Sequence, residues 1–432
     1  MNRPQVAAFL RALDKTQYLP PDHMMAYQRR LLGRLLRHAR NETEFYADRL
    51  APIFRSGDTI DWDSWLELPI LTRRDVQDNF DALAARSLPP AAGGVMEDTS
   101  SGSTGRPVRY LQTDLQNLGA ACCSERFFQW HGLKPEALAA RIRATKNPEA
   151  AYPHGRRHNW WRVGHELSPV VDLTIATTHG DQMEWLKRIK PAYLITYPSN
   201  MRELARLAVE TGTKLQFDLV LTFAEMISED MRVAIRDYFH REPLDRYGAS
   251  EIGHISGTCP VSLKHHIAAE VVLVEILDEC GNPVGPEEEG RIVLTPFYNL
   301  AMPLIRYDVG DRGVVSAEPC SCGRTLPVFK RLLGRTRSIF RFVDGTACWP
   351  VLLGNEMSPF VASRQFQVVQ HTRSDIEFRY VPAHADQVND LAGLTAYIRR
   401  RLHPAINVTL TAMERIERSP SGKYEDYLSL VT

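Results

Sequence analysis

The sequence predicts an α/β protein with a large N-terminal domain and a small α+β domain at the C-terminus. Two observations carry that expectation. Residues from about 97 to 310 alternate strand-like runs with helical patterns, as short crossover units do. Beyond about residue 335 the pattern changes to strand-like runs around a single helical face. The length agrees, because 432 residues suit two to three domains of roughly 100–200 residues each.

Near the N-terminus, Met24, Tyr27, Leu31, Leu32, Leu35, Leu36 and Ala39 recur at helical spacing. Arg29, Arg30, Arg34, Arg37 and Arg40 lie largely on the other side and read as a solvated face. Residues 192–197 read as a strand, 200–211 as a helix and 219–222 as the next strand. Residues 271–277 and 290–295 read as strands joined by the turn-rich Cys280-Gly281-Asn282-Pro283. In the last part, 366–369 and 376–381 are strand-like. Val388, Leu391, Leu394, Ile398 and Leu402 mark one helical face, and 407–413 alternates again. The predicted division lies near Gly334-Arg335, giving domains 1–335 and 336–432.

Composition narrows the function. Lys plus Arg, 52, balance Asp plus Glu, 52. That argues against nucleic acid or a membrane surface as a partner held by bulk charge. There is no apolar run of transmembrane length and no apolar signal core after Met1-Asn2-Arg3-Pro4. The expected location is the cytoplasm. Seven scattered cysteines fit metal ligands or free thiols better than a disulfide framework. Of these, Cys122, Cys123, Cys280 and Cys348 read as packing or incidental thiols.

The segment Asp98-Thr99-Ser100-Ser101-Gly102-Ser103-Thr104-Gly105-Arg106-Pro107 sets glycines among hydroxyl residues before strand-like Val108 to Leu111. Such a loop can offer N–H groups and hydroxyls to phosphate oxygens, although it lacks Walker spacing. Alone, such a loop reads more often as a flexible turn. The residues downstream of it change the balance. Glu225 ends a strand-like run. Then come Asp245-Arg246-Tyr247-Gly248-Ala249-Ser250-Glu251-Ile252-Gly253, Pro303 to Asp311, Gly334-Arg335, and Arg418-Ser419-Pro420-Ser421-Gly422-Lys423. These landmarks, in this order, resemble the adenylate-forming superfamily, and within it the phenylacetate–CoA ligase and coenzyme F390 synthetase branch. The stretch Leu35 to Tyr46 is similar to that branch too.

The resemblance implies a large adenylate-forming domain, a small mobile C-terminal domain, and a two-step reaction. A carboxylate is activated by ATP as an acyl-adenylate, then transferred to CoA, giving an acyl-CoA thioester, here of an aromatic acid. It also implies roles. Ser100, Ser101, Gly102, Ser103, Thr104 and Gly105 would hold the phosphates. Tyr247 would stack on adenine, with Gly248 beside it. Ser250 would meet the α-phosphate, and Glu251 would hold magnesium. Asp311 and Arg335 would meet the ribose. Glu225 would lie on the nucleotide side, and Lys423 would stabilise charge during adenylation. Each residue alone would read as structural or solvated; their joint order carries the reading. Val309 stands where the family usually has Thr, and no Asp occupies Arg337 or Ser338 in the hinge. The hinge departure keeps open transfer to an amine, hydroxyl, carrier protein or other nucleophile; a non-catalytic nucleotide-binding protein is a further alternative, against which Lys423 and Glu251 both stand.

Cys259, Cys320 and Cys322, with His265 or His266, could form a Cys₃His zinc site of structural type. Some members of the resembled branch carry a metal at the corresponding place. The resembled pattern favours His266 over His265. The cluster His154, Arg156, Arg157, His158, Trp160, Trp161 and Arg162 reads either as packing with a solvated loop or as part of an acyl or CoA site. The family lines its acyl site near Tyr197, Ser199 and Ala249, so these join Trp160 and Trp161 as pocket candidates. The expected partners are a small carboxylic acid, ATP and CoA, and a homodimer is left open.

Overall fold

The computed structural model describes residues 3–55, 57–100, 107–335, 339–350, 352, 354–384, 389–419 and 421–431. Each of its two compact units gathers three stretches of chain. The first is Met1–Ala139, Arg157–Val171 and Leu244–Leu333; the second is Ala140–Arg156, Asp172–Pro243 and Gly334–Thr432.

In the first unit the helix Pro21–Glu42 opens with Pro at its first turn, where no intrahelical N–H is needed. It buries Met24, Leu31, Leu32, Leu35, Leu36 and Ala39. Arg29, Arg30, Arg34 and Arg37 face solvent, as the sequence spacing predicts. A run of strands follows in the sheet order Val272–Leu277, Glu289–Pro296, Tyr307–Val315, Val328–Arg335, His265–Ile267, Gly253–Thr258 and Leu244–Ala249. Burial on one face packs Ile292, Leu294, Tyr307 and Phe329 into the main core with Leu35 and Leu36. A separate antiparallel ribbon pairs Val95–Ser100 with Val108–Thr113. Thr113 caps the following helix, Asp114–Trp130, by accepting from the Gln116 N–H.

In the second unit the parallel strands Tyr193–Thr196 and Leu219–Phe223 are linked by the helix Pro198–Glu210, the crossover that parallel pairing requires. A four-stranded sheet has the order Asn407–Ala412, Asp375–Pro382, Ser363–Gln370, Tyr427–Ser429. The helix Leu391–Arg401 buries Leu394, Tyr397 and Ile398 in one apolar cluster with Val368, Ile376 and Phe378. The α+β character read from the last hundred or so residues is therefore present.

Candidate active site

The first unit holds a turn fixed by two glycines. It joins Leu244–Ala249 to Gly253–Thr258 and carries Ser250 and Glu251. A Cβ on Gly248 would lie 2.5 Å from the Gly253 carbonyl oxygen, and one on Gly253 (φ +93°) 2.7 Å from Ala120 Cβ. Only glycine allows this approach. Gln112 Nε2 donates to the Ser250 carbonyl at 2.9 Å, and Gln116 Nε2 donates to the Ile252 carbonyl. The turn is thus tied down on both sides of Glu251.

Glu251 is buried, and its Oε1 accepts from the Tyr307 hydroxyl at 3.0 Å. Burial, then the Glu251 charge, raises the Tyr307 phenol above its ordinary value, so the hydroxyl stays a donor. Four residues on, Asp311 Oδ2 accepts from the Tyr247 hydroxyl at 2.7 Å. The Tyr247 ring meets Phe329 edge to face, with centroids 6.1 Å apart. Ser100 ends its strand opposite Val108, and its hydroxyl oxygen accepts from Arg73 Nη2 and the Val108 N–H, both at 3.3 Å. Ser101, Gly102, Ser103, Thr104 and Gly105 lie outside the described residues, as do Arg337 and Ser338.

The second unit holds the other group. Glu225 Oε2 accepts from the Ser199 N–H at 3.1 Å. Its Oε1 accepts from Arg418 Nη1 at 3.2 Å and from the Tyr424 N–H at 2.5 Å. Burial pushes the Glu225 carboxyl up from its ordinary value, and Arg418 opposes the shift. The Tyr197 hydroxyl donates to the Ser421 carbonyl at 2.8 Å. Lys423 is half-buried in this loop, and Arg335 ends the strand Val328–Arg335.

A separate cluster joins Cys259, His266, Cys320 and Cys322, whose ligand atoms all lie within 4.8 Å of one another. The Cys259 and Cys320 sulfurs are 3.6 Å apart, and His266 Nε2 is 3.2 Å from Cys322 Sγ. A tetrahedral zinc with bonds of about 2.3 Å to sulfur would set sulfurs about 3.8 Å apart, so the donor set and spacing fit. His266 Nδ1 is buried without a hydrogen-bond partner among the described residues. His265 turns to Ser256 Oγ, 3.3 Å from its Nδ1.

With the geometry in place, known proteins give it a context. No protein-family model matches the sequence. A phenylacetate–coenzyme A ligase of Thermus thermophilus is 25% identical over 361 residues, 77% of this chain and 74% of that one. The solved structure of 2-hydroxyisobutyryl-CoA ligase, in the postadenylation state in complex with R3-HIB-AMP, superposes with a TM-score of 0.73 at 17% identity, covering 96% of this chain and 91% of that one. The chain has the adenylate-forming fold and is a sequence relative of the phenylacetate–CoA ligases. A fumarate–(S)-2,3-diaminopropanoate ligase of Enterobacter agglomerans is 29% identical over 168 residues, 37% of this chain and 41% of that one.

Of the residues singled out in the sequence, Ser250, Glu251, Tyr247, Gly248 and Asp311 come together in the first unit, and Glu225, Tyr197, Ser199 and Lys423 in the second. Ala249 packs against the first unit's core. Trp160 is 69% exposed, whereas Trp161 packs on Phe128 with centroids 5.0 Å apart. Arg162 is buried and donates from Nε and Nη2 to Glu125 at 2.9 and 2.7 Å, so within that aromatic and cationic cluster it serves packing. Sequence reasoning gave no role to Arg73, Tyr307, Arg418 or Tyr424. The last three lie in or beside quoted motifs, but their partners are far away in sequence. Nothing in the spacing marks Arg73.

Proposed function

We propose that the chain is an ATP-dependent, AMP-forming carboxylate–CoA ligase for an aromatic acid. The observation that carries this reading is the buried Glu251 carboxylate, aimed by Tyr307 on a glycine-fixed turn beside Ser250. The acid's carboxylate oxygen attacks the α-phosphorus of ATP, and the bond to pyrophosphate breaks. The CoA thiol then attacks the acyl carbonyl, and AMP leaves. The first nucleophile is already an anion, so the chain's task is positioning and charge stabilisation rather than strong base catalysis.

The residues divide that task. Ser100 and its loop, with Arg73 beside it, hold phosphate oxygens. The Tyr247 face takes adenine, and Asp311, oriented by the Tyr247 hydroxyl, accepts from the ribose. Arg335 is assigned to the same ribose. Lys423 stabilises charge that develops at the α-phosphate during adenylation. A buried carboxylate is the hard oxygen donor magnesium takes, so Glu251 would hold the ion, which screens phosphate charge when bound. Trp161, Trp160 and Ala249 are assigned to the acyl side. The thiol and imidazole cluster would hold a structural zinc, and its reduced cysteines suit the cytoplasm.

Mass spectrometry of products from ATP, magnesium and a panel of carboxylic acids, each with and without CoA, tests the reading. An acyl-CoA plus AMP is expected. An acyl-adenylate that accumulates in the presence of CoA overturns CoA as acceptor. It would favour transfer to an amine, the second reading, supported by the likeness to a ligase named for fumarate and a diamino acid.

Tyr247→Phe keeps the ring but removes the hydroxyl's hydrogen bond to Asp311. One hydrogen bond of about 1 kcal/mol corresponds to a rise in KM for ATP of roughly fivefold, with kcat little changed; steady-state kinetics in ATP checks this. Metal analysis of the purified chain is expected to give one zinc per chain, and Cys320→Ser to lose it. Equal zinc in both proteins would reject the cluster as the ligand set.

A further inference from the structure

The loop that carries Lys423 is held by an acid from another part of the chain. Within the loop, the Ser419 N–H donates to the Lys423 carbonyl at 2.9 Å, and the Gly422 N–H donates to the Ser419 carbonyl at 2.8 Å. These bonds shape the turn but do not place it. Placement comes from the segment of the second unit between residues 140 and 243. Gly422 has φ +77°, and a Cβ there would lie 2.8 Å from the Tyr197 hydroxyl and 3.0 Å from Ala144 Cβ and Ile175 Cγ2. The loop is therefore seated at contact distance, where no side chain fits. The Tyr197 hydroxyl accepts from the Ala144 N–H at 3.2 Å while donating to Ser421.

Glu225 reaches both flanks of the lysine. It accepts directly from the N–H of Tyr424, the next residue, and from the guanidinium of Arg418, five positions before. Arg418 Nη1 also donates to Ser199 Oγ at 2.8 Å and to the Gly422 carbonyl at 3.1 Å. The side chains of Glu225 and Arg418 are only 5% and 17% exposed, so solvent competes little for these bonds. The same carboxylate serves the start of the helix Pro198–Glu210, which has no side-chain cap of its own. It accepts the Ser199 N–H where the helix dipole favours a negative charge. One acid thus ties a rigid helix start to the lysine loop, and both of its oxygens are committed to the chain itself.

We infer that Glu225 is a positioning residue that seats the Lys423 loop for adenylation through Tyr424 and Arg418, rather than a nucleotide contact. The inference rests on the proposed role of Lys423. A misplacement of about 1 Å can cost on the order of 10²-fold in rate, so Glu225→Ala is expected to slow acyl-adenylate formation about 10–100-fold. The Kd for ATP should stay unchanged. Glu225→Gln keeps an acceptor for the Tyr424 N–H and should recover part of the rate.

Two measurements decide. In the first, adenylation is compared in Glu225→Ala, Lys423→Ala and the double variant. If Glu225 acts through the lysine, the double variant is no slower than Lys423→Ala. Rate losses that multiply, or a weakened Kd for ATP, overturn the inference. The second needs no activity: hydrogen–deuterium exchange of the peptide covering 416–427. Faster exchange at Gly422 and Tyr424 in Glu225→Ala is expected, and unchanged protection overturns the seating. If Glu225→Ala does not fold, Arg418→Ala leaves the helix start and the Tyr424 bond in place and is read the same way, with a smaller loss. A wild-type chain that adenylates no acid would overturn the proposed function, while the exchange result still decides whether Glu225 seats the loop.

Discussion

Lys423→Ala is expected to lower the rate of acyl-adenylate formation by about 10²–10³-fold, the typical cost of removing one group that stabilises developing charge. The effect should fall on kcat, because pentavalent phosphorus carries charge in the transition state that ground-state ATP does not place at the same point. ATP affinity should therefore change little. Lys423→Arg keeps the charge but replaces a compact ammonium with a longer planar fork, and partial recovery is expected. Pyrophosphate exchange at saturating acid, beside equilibrium binding of ATP, separates the two quantities. Adenylation at the wild-type rate in Lys423→Ala would remove the lysine from the mechanism.

How much of this could be read from the sequence depends on distance along the chain. The helix Pro21–Glu42 and the strand Leu219–Phe223 are local patterns, so apolar period alone marks them. The turn carrying Ser250 and Glu251 is also local, and its two glycines announce a close approach. Glu225 is different. Its partner Arg418 lies 193 residues away, and no spacing rule pairs them; the resemblance placed Glu225 on the nucleotide side, and the structure shows it bonded to the loop of Lys423. The two histidines show the intermediate case. Neighbours on the strand His265–Ile267 point to opposite faces, so one of them meets the thiols and the other Ser256 Oγ. The alternation is legible, but which face holds the cysteines is set by the long-range pairing of this strand with Gly253–Thr258 and Val328–Arg335. Arg162 shows the opposite limit. Composition makes it part of a cationic aromatic cluster, and only packing reveals that Glu125 neutralises it in the interior.

Burial of paired charge also sets the largest expected effect on stability. Arg126 and Glu270 are 2% and 0% exposed. Arg126 Nη1 and Nη2 donate to the two Glu270 oxygens at 2.5 and 3.2 Å, and Thr16 Oγ1 donates to Oε1 at 3.0 Å. Arg126 Nη1 also reaches the Leu13 carbonyl at 3.3 Å. The pair thus joins the helix Arg3–Thr16, the helix Asp114–Trp130 and the segment entering the strand Val272–Leu277. Glu270→Ala leaves a buried guanidinium without the carboxylate that pairs it, and the expected loss is about 3–5 kcal/mol. At about 2–4 °C per kcal/mol for a unit of this size, Tm should fall by roughly 6–20 °C. Because most of that penalty is the stranded charge rather than the worth of the pair, the double variant Arg126→Met with Glu270→Leu should be more stable than Glu270→Ala alone. Thermal unfolding of the three proteins separates the two ideas. A double variant no more stable than Glu270→Ala would mean that the pair itself, and not the avoidance of an unpaired charge, holds these three elements together.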